Sequence, residues 1–226
     1  MSRYIRFSSN YNTTILKTEL TSCLDNKWIA HFNQKDYSGE WNCIALRSKS
    51  GNSSDILTFG ESDFIDTELL NELPYTKQII DSIPGKKETI RYMALYPNSH
   101  IHPHKDIGCS YEEGLYRIHI PIVTNDEVLF YLENQLIKLK EGECWYLDFS
   151  KTHEIINTSK HVRVHLVIDG IRDNETDEWF IANGFQFSEN KMYDDSTLNQ
   201  MIEELKRMNT PTSLALIENL KAQQNV

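Results

Sequence analysis

The chain has no long apolar run, few cysteines and no excess of positive charge, and each absence removes a class of protein. Its apolar stretches, such as Ile118–Val123, are far shorter than the roughly 20 residues needed to span a bilayer as a helix. Four cysteines, Cys23, Cys43, Cys109 and Cys144, stand apart without C-x-x-C spacing, so they read as buried reduced thiols rather than a disulfide frame or a zinc knot. Acidic residues outnumber basic ones by 33 to 23, for a net charge of −10, which argues against a surface built to grip nucleic-acid phosphates. No repeat or low-complexity tract is present, and the opening residues lack a charged-then-apolar leader pattern, so a cytoplasmic location is the expectation. What remains is ordinary globular composition, with 39% hydrophobic and 25% charged residues over a length that suits one domain, or one with a small appendage.

The middle of the chain carries a β pattern. Thr89–Tyr96, Leu115–Val123, Glu127–Leu132, Gln135–Leu139, Glu143–Phe149 and His161–Ile168 are short β-branched or aromatic runs separated by turn residues. Glu133-Asn134 reads as a tight hairpin and Glu141-Gly142 as another turn. Strands so closely spaced, with no amphipathic helices between them, indicate an antiparallel sandwich or barrel. Before them, Trp28–Phe32 and Asn42–Leu46 read as strands, and Phe64–Leu70 and Tyr75–Ile83 as short helices. After residue 170 the spacing turns helical over Glu175–Ala182 and Ser196–Met208, and Thr210-Pro211 opens a last helix. The expected organisation is a mainly β domain over 1–170 with flanking helices, and a helical C-terminal cap over 171–226 that covers the barrel or pairs with another chain.

The chemistry concentrates around Tyr96–Asp106. His104 and Asp106 are two apart, so on extended backbone they project to one side and can share an ion. His153, 49 residues after His104, supplies a second imidazole just past a strand. Two imidazoles and one carboxylate leave three neighbouring positions open on an octahedral ion, the usual arrangement for non-haem iron(II). Arg163 follows His153 by ten residues inside an apolar strand, where a guanidinium is costly unless it meets an anion. Its planar fork suits the distal carboxylate of 2-oxoglutarate. Arg117 and His119 share one face of their strand and are candidates for the co-substrate's other carboxylate. His31, His100, His161 and His165 read as ordinary core or surface groups, Asp148 and Asn157 as turn formers, and Arg47 and Arg91 as outside candidates for a substrate carboxylate. His102 is open between two readings: by alternation it shares a face with His104, and it reads also as a cap of the loop.

Taken in order, His104-x-Asp106, Arg117-Ile-His119-Ile-Pro121, Gly142-Glu-Cys-Trp145, Asp148-x-Ser150-x-x-His153-x-x-x-Asn157 and Arg163-Val-His-Leu-Val-Ile-Asp169 resemble the aspartyl/asparaginyl β-hydroxylase family, including its bacterial relatives that hydroxylate free proline. The likeness covers roughly residues 89–170. It implies a double-stranded β-helix (a jelly-roll or cupin-like fold), iron(II), 2-oxoglutarate and O2 as the reacting set, and hydroxylation of an unactivated C–H bond. It also implies contact of the positions matching Arg117, His119 and Arg163 with 2-oxoglutarate. The animal members of the family have glycine where this chain has Asp106. A retained carboxylate resembles the proline-hydroxylating branch and favours hydroxylation over halogenation.

The expected activity is therefore a 2-oxoglutarate-dependent dioxygenase acting on an amino-acid side chain of the Asp, Asn or Pro type. The acidic charge tips the expectation slightly toward a residue within a peptide or protein, against a free amino acid such as proline. A non-catalytic, cupin-like metal sensor or binding module is the alternative of another class, and it would be marked by a broken triad or a missing arginine.

Overall fold

The computed structural model describes residues 2–58, 63–188, 195–208 and a few positions from 210 to 221. From the N-terminus come β1 (Tyr4–Asn10), α1 (Thr13–Ser22), β2 (Ile29–Ala30), β3 (Tyr37–Ser38), β4 (Trp41–Ser48), β5 (Ile65–Asp66), α2 (Glu68–Asn71) and α3 (Pro74–Ser82). Then follow β6 (Lys87–Leu95), β7 (Ser99–His104), β8 (Leu115–Val123), β9 (Val128–Leu132), β10 (Gln135–Ile137), β11 (Glu143–Leu147), β12 (His153–Asn157) and β13 (Arg163–Ile171). The helices α4 (Asn174–Ala182) and α5 (Asp195–Met208) come last.

Two antiparallel sheets hold these strands. One runs β1-β11-β8-β13-β6-β4-β2 with β5 against β4, the other β10-β9-β12-β7-β3. From β6 onward the chain crosses between the sheets at almost every step, the β9–β10 hairpin being the exception. That alternation winds β6, β13, β8 and β11 against β7, β12, β9 and β10 as a jelly roll, the mainly β architecture expected from the strand spacing. Trp41, Met93, Leu95 and Leu147 from one sheet meet Ile101, Phe130, Leu132 and Ile155 from the other in the core between them.

Local chemistry explains the joints. Asn98, with φ of 58°, reverses the chain between β6 and β7, and its N–H donates to the Asn157 carbonyl. Glu133 and Asn134 both take positive φ, as a two-residue hairpin requires. Strand β6 is buried along most of its length because the large sheet is covered on its outer side too; Thr76 of α3 hydrogen-bonds the Tyr92 hydroxyl at 2.7 Å.

Three local expectations are corrected. Residues 64–70 do not form one helix: Ile65–Asp66 pair with β4, and Thr67 then caps α2 through the Leu70 N–H. The competing preference is the Arg47–Asp66 ion pair, 2.6 Å across that strand pairing. Residues 99–104, not among the strands read from the sequence, form a strand of their own. Helix α1 was not anticipated, since its threonine-rich sequence buries only Leu16 and Leu20; the Asn12 side chain starts it by accepting from the N–H groups of Thr14 and Ile15.

Residues 3–185 form one compact unit, which contains every strand and α4; a second unit holds Ser2 and the chain from Gln186 onward, including α5. Helix α5 coincides with the helix read over Ser196–Met208. The last helix expected from Thr210 falls largely outside the described residues. No helix among the described residues is long and apolar enough to cross a membrane.

Gly170 of β13 faces Tyr116 of β8 in register, and a Cβ there would collide with the buried tyrosine ring. Gly170→Ala is expected to destabilise the protein by about 1–3 kcal/mol. Urea unfolding measures this, and a midpoint equal to wild type would show that the ring yields freely.

Candidate metal centre

Strands β7 and β12 bring the two histidines together. His153 pairs in register with His104, while two residues further along β12, Ile155 pairs with Ile101, so β7 carries one extra residue between these points. This bulge changes which face the following side chains take. His102, expected to share a face with His104, instead stands against His100, whose ring reaches Glu154 on the side of β12 opposite His153. His104 turns inward, and its ring centroid lies 4.2 Å from that of His153. Asp106 is held two residues on by its N–H to the Phe149 carbonyl. Ligand atoms of His104, Asp106 and His153 all lie within 4.8 Å of one another.

The hydrogen bonds prepare each ligand. His104 Nδ1 sits 2.7 Å from the His102 carbonyl and His153 Nδ1 3.1 Å from that of Lys151, so each ring is protonated at Nδ1 and presents a bare Nε2. Burial, with His104 adding to it, lowers His153 to about 4 despite the pull of Asp106, keeping the imidazole neutral. Asp106 gives Oδ2 to Arg117 Nη1 at 2.6 Å, while Oδ1 lies 3.6 Å from His104 Nε2. Burial would raise this carboxyl, but Arg117 and the two histidines outweigh it and hold it below its ordinary value. Two imidazole nitrogens and one carboxylate oxygen thus converge, a donor set that fits a divalent transition metal and matches no all-oxygen calcium or magnesium site.

Behind Asp106 runs a chain of buried ions. Arg117 Nε donates to Asp169 Oδ1 at 2.6 Å, and Asp169 Oδ2 accepts from Arg91 Nη2 and from the Thr89 hydroxyl, both at 2.7 Å. Burial would push Asp169 up, yet Arg117 and Arg91 hold it at about 2.

Arg163 is treated differently. It is 2% exposed, and among the described residues no carboxylate forms an ion pair with it. Among the described residues its side chain has one hydrogen bond, from Nη2 to His165 Nδ1 at 2.8 Å, and its Nε has no partner. Desolvation lowers even this guanidinium, to about 9, with little help from Cys43. The small void on its far side is walled by Thr124, Val128, Phe130, Ile137, Leu139, Ile155 and His165, none of them acidic. An anion for Arg163 must therefore come from the main cavity.

That cavity has a volume of about 430 Å³, and His104, Asp106, His153, Arg117, His119 and Arg163 all lie on its wall. The six site residues singled out in the sequence thus share one chamber. Arg91 lies there too, whereas Arg47 is paired with Asp66 and does not line it. Asp169 and His165 were missed as members of the site. Their signal was present: Arg163, His165 and Asp169 fall at even spacing on one apolar strand, so they share a face. Asp148 and Asn157 are turn formers as read, accepting from Ser150 and Ser159. Of the cysteines, Cys109 borders the cavity and the other three are buried. The loop over the metal ligands is half anchored: Ile107 is fully exposed, while Tyr111 is buried against Phe180, with ring centroids 3.6 Å apart.

Comparison with known proteins gives the family and the fold. Residues 10–173 match the family model described as aspartyl/asparaginyl β-hydroxylase. The L-proline cis-4-hydroxylase of Rhizobium meliloti (strain 1021) is 28% identical over 135 residues, covering 58% of this chain and 48% of the relative. An L-proline cis-3-hydroxylase of a Streptomyces species is 26% identical over 146 residues, 62% of this chain and 50% of the relative. The chain thus spans about half the length of the curated relatives it matches. Among solved structures, a non-haem α-ketoglutarate-dependent epimerase of nogalamycin biosynthesis superposes with a TM-score of 0.50 at 10% identity, over 74% of this chain and 76% of that one, which shows a shared fold.

Removing the charge at the centre of the ion chain tests its role. Asp169→Asn leaves two buried guanidiniums short of a counter-charge and is expected to cost about 3–5 kcal/mol, with metal affinity reduced roughly 10–100-fold as Asp106 loses its support. Because the folded carboxyl of Asp169 lies below its ordinary value of 3.8, its contribution is complete above that value and is lost as pH falls toward about 2. Urea unfolding at a series of pH values from about 5 to 2 should therefore show a shallower acid loss in the variant than in wild type.

Proposed function

We propose, since the chain belongs to the aspartyl/asparaginyl β-hydroxylase family, that it is an iron(II)- and 2-oxoglutarate-dependent dioxygenase that hydroxylates an amino-acid side chain. One observation carries the reading: an intact His104, Asp106 and His153 donor set shares a cavity with Arg163, a buried arginine that has no carboxylate of its own. Iron(II), 2-oxoglutarate and O2 supply the oxidising power, and the protein's own residues bind, orient and exclude water. His104 and His153 offer Nε2 and Asp106 offers Oδ1 from one side, which leaves neighbouring positions for co-substrate and oxygen. Arg163 is the seat for the distal carboxylate of 2-oxoglutarate, where a bidentate charge-assisted contact relieves its desolvation. His119 faces the same chamber. Arg117 spends three donor groups on Asp106 and Asp169, so its first task is to fix the direction of the metal carboxylate.

For the substrate, we favour a free amino acid over a residue in a peptide. Two relatives named L-proline hydroxylases and a cavity near the lower end of the usual small-ligand range support this. Glu88, on the same wall, carries a carboxyl raised by burial and by Asp169, and it is placed to receive an ammonium group. The acidic surface of the chain is the observation that supports the peptide reading. A non-catalytic sensor is disfavoured by the complete triad.

Under anaerobic conditions, iron(II) with 2-oxoglutarate is expected to give a weak visible charge-transfer band, lost in His153→Ala. Arg163→Lys should weaken 2-oxoglutarate by about 10–100-fold, since a bidentate charged contact becomes a single one. Succinate release screened over free amino acids and peptides, with mass spectrometry for an added oxygen, identifies the substrate. Normal metal binding with no substrate raising turnover above the uncoupled rate would overturn the oxygenase reading.

A further inference from the structure

His31, which the sequence marks as an ordinary core or surface histidine, is carried by the fold to the cavity wall. The edge strand β2 pairs with β4, Ile29 opposite Cys43 and Ala30 opposite Asn42. One residue further on, the His31 N–H donates to the Trp41 carbonyl at 2.8 Å. Residues opposed in this way hold their side chains on one face. The imidazole lies flat on the Trp41 indole, with ring centroids 3.6 Å apart and planes within 13°, and the Phe32 ring stands 4.5 Å from it. The residue is only 7% exposed, so this stack fixes the direction of its nitrogens.

The proton on that ring can be assigned. The Asn33 N–H points at Nδ1 from 3.4 Å, which makes Nδ1 the acceptor and leaves the proton of the neutral ring on Nε2. Burial, then the charges of Arg91 and Arg117, lower His31 to about 3 against a smaller upward pull from Asp106. The neutral form is therefore the one present near neutral pH. Among the described residues Nε2 meets no acceptor, yet it is not fully buried as the unpartnered Trp41 Nε1 and Arg91 Nε are. A ring that is otherwise enclosed and lines the cavity thus keeps one N–H open to it.

The surroundings of that donor favour an anion. Arg91 and Arg117 each act on His31 more strongly than Asp106 does, so the field at the ring is positive. A neutral N–H in such a field binds a carboxylate oxygen through a charge-assisted bond, roughly twice as strong as its bond to an amide oxygen. We propose that His31 is a substrate-binding residue whose Nε2–H donates to the α-carboxylate of a free amino acid, with Arg91 supplying charge at longer range. The proposal rests on the reading of the chamber as the site of an amino-acid hydroxylase. Arg91 is engaged with Asp169 through Nη2, so it offers the carboxylate attraction while His31 offers it direction. With Glu88 receiving the ammonium, the two charged ends of the substrate are held at separate points of one wall.

The test uses the full chain, labelled with nitrogen-15 and loaded with zinc(II), which is diamagnetic and redox-inert, in the presence of 2-oxoglutarate. Each standard L-amino acid is titrated, together with the carboxamide of any that binds. The acid is expected to bind more tightly than its amide, and long-range proton–nitrogen spectra should show His31 protonated at Nε2 with that nitrogen shifting as the acid saturates. His31→Phe keeps an aromatic ring on Trp41 without the donor; it should weaken the acid roughly 10–100-fold and the amide less than about 3-fold, at unchanged 2-oxoglutarate affinity. His31→Gln, whose amide N–H reaches near the place of Nε2, should bind the acid within about 5-fold of wild type. Equal weakening of acid and amide in His31→Phe would make the residue merely structural, and weakening of 2-oxoglutarate would make it part of the co-substrate's seat. Either result, or an Nε2 resonance unmoved at saturation, overturns the proposal and leaves the oxygenase reading standing. If 2-oxoglutarate binds and no free amino acid does, the free-amino-acid reading falls and the proposal with it. Should the phenylalanine variant fail to fold, the wild-type Nε2 shift and the glutamine variant decide.

Discussion

The site depends on a single buried carboxylate, Asp169. It sits between Arg117 and Arg91 at distances of 2.6 and 2.7 Å, and through Arg117 it reaches Asp106. Charges taken from water repay the cost only when closely paired and fully hydrogen-bonded, and breaking such a pair is more damaging than never having built it. In this protein the expense has a geometric return. Asp106 lies at the start of a loop whose next residue, Ile107, is fully exposed, so backbone alone would hold the carboxylate loosely. Arg117 fixes one oxygen and thereby aims the other at His104 and His153. The three strands at the centre of the large sheet each contribute to that clamp: β6 gives Thr89 and Arg91, β8 gives Arg117, and β13 gives Asp169.

The two inward arginines on β8 and β13 differ in what they have left to give. Arg117 is saturated with carboxylates supplied by the fold, and its pKa is raised well above the ordinary value despite burial. Arg163 is buried more deeply, meets only a neutral imidazole, and falls to about 9. A folded protein tolerates such a destabilised cation where something else completes it. The contrast separates structural from receptive guanidiniums without reference to any relative, and it is a stronger guide than spacing, which treats the two arginines alike.

Much of the arrangement is legible in the sequence, and the failures have physical causes. Strand β8 runs over Leu115–Val123 as read, because β-branched residues alternate cleanly and turn residues bound it. The hairpin at Glu133-Asn134 is likewise local chemistry. His104, Asp106, His153 and Arg163 stand out because polar ligands at regular offsets are costly in apolar strands. The bulge in β7 falls between Ile101 and His104, where Pro103 has no N–H to give the ladder, so the sequence did carry a signal for it; alternation applied straight across that proline misassigns His102. Asp169 and His165 were passed over because their significance is long-range. Each gains its partners from strands more than 40 residues away in sequence, Arg117 and Arg91 for the one and His119 for the other, although Arg163 lies close by.

Charge balance in the chamber bears on the proposed substrate. Counted over the cavity wall, Arg91, Arg117 and Arg163 against Asp106 and Asp169 leave one positive charge, and Lys105 and Glu88 offset each other. A divalent metal adds two charges, and a dianionic keto acid removes two. One positive charge remains in the sum over the cavity. A peptide segment presents neutral amides to such a surface and gains from the charge only through an acidic side chain. On the proposed reading, a free amino acid would set its carboxylate toward that charge and its ammonium toward Glu88. The side chain would then be carried toward the metal by contacts that a peptide lacks, which is why the electrostatics of the cavity weigh more on the identity of the substrate than the net charge of the whole surface.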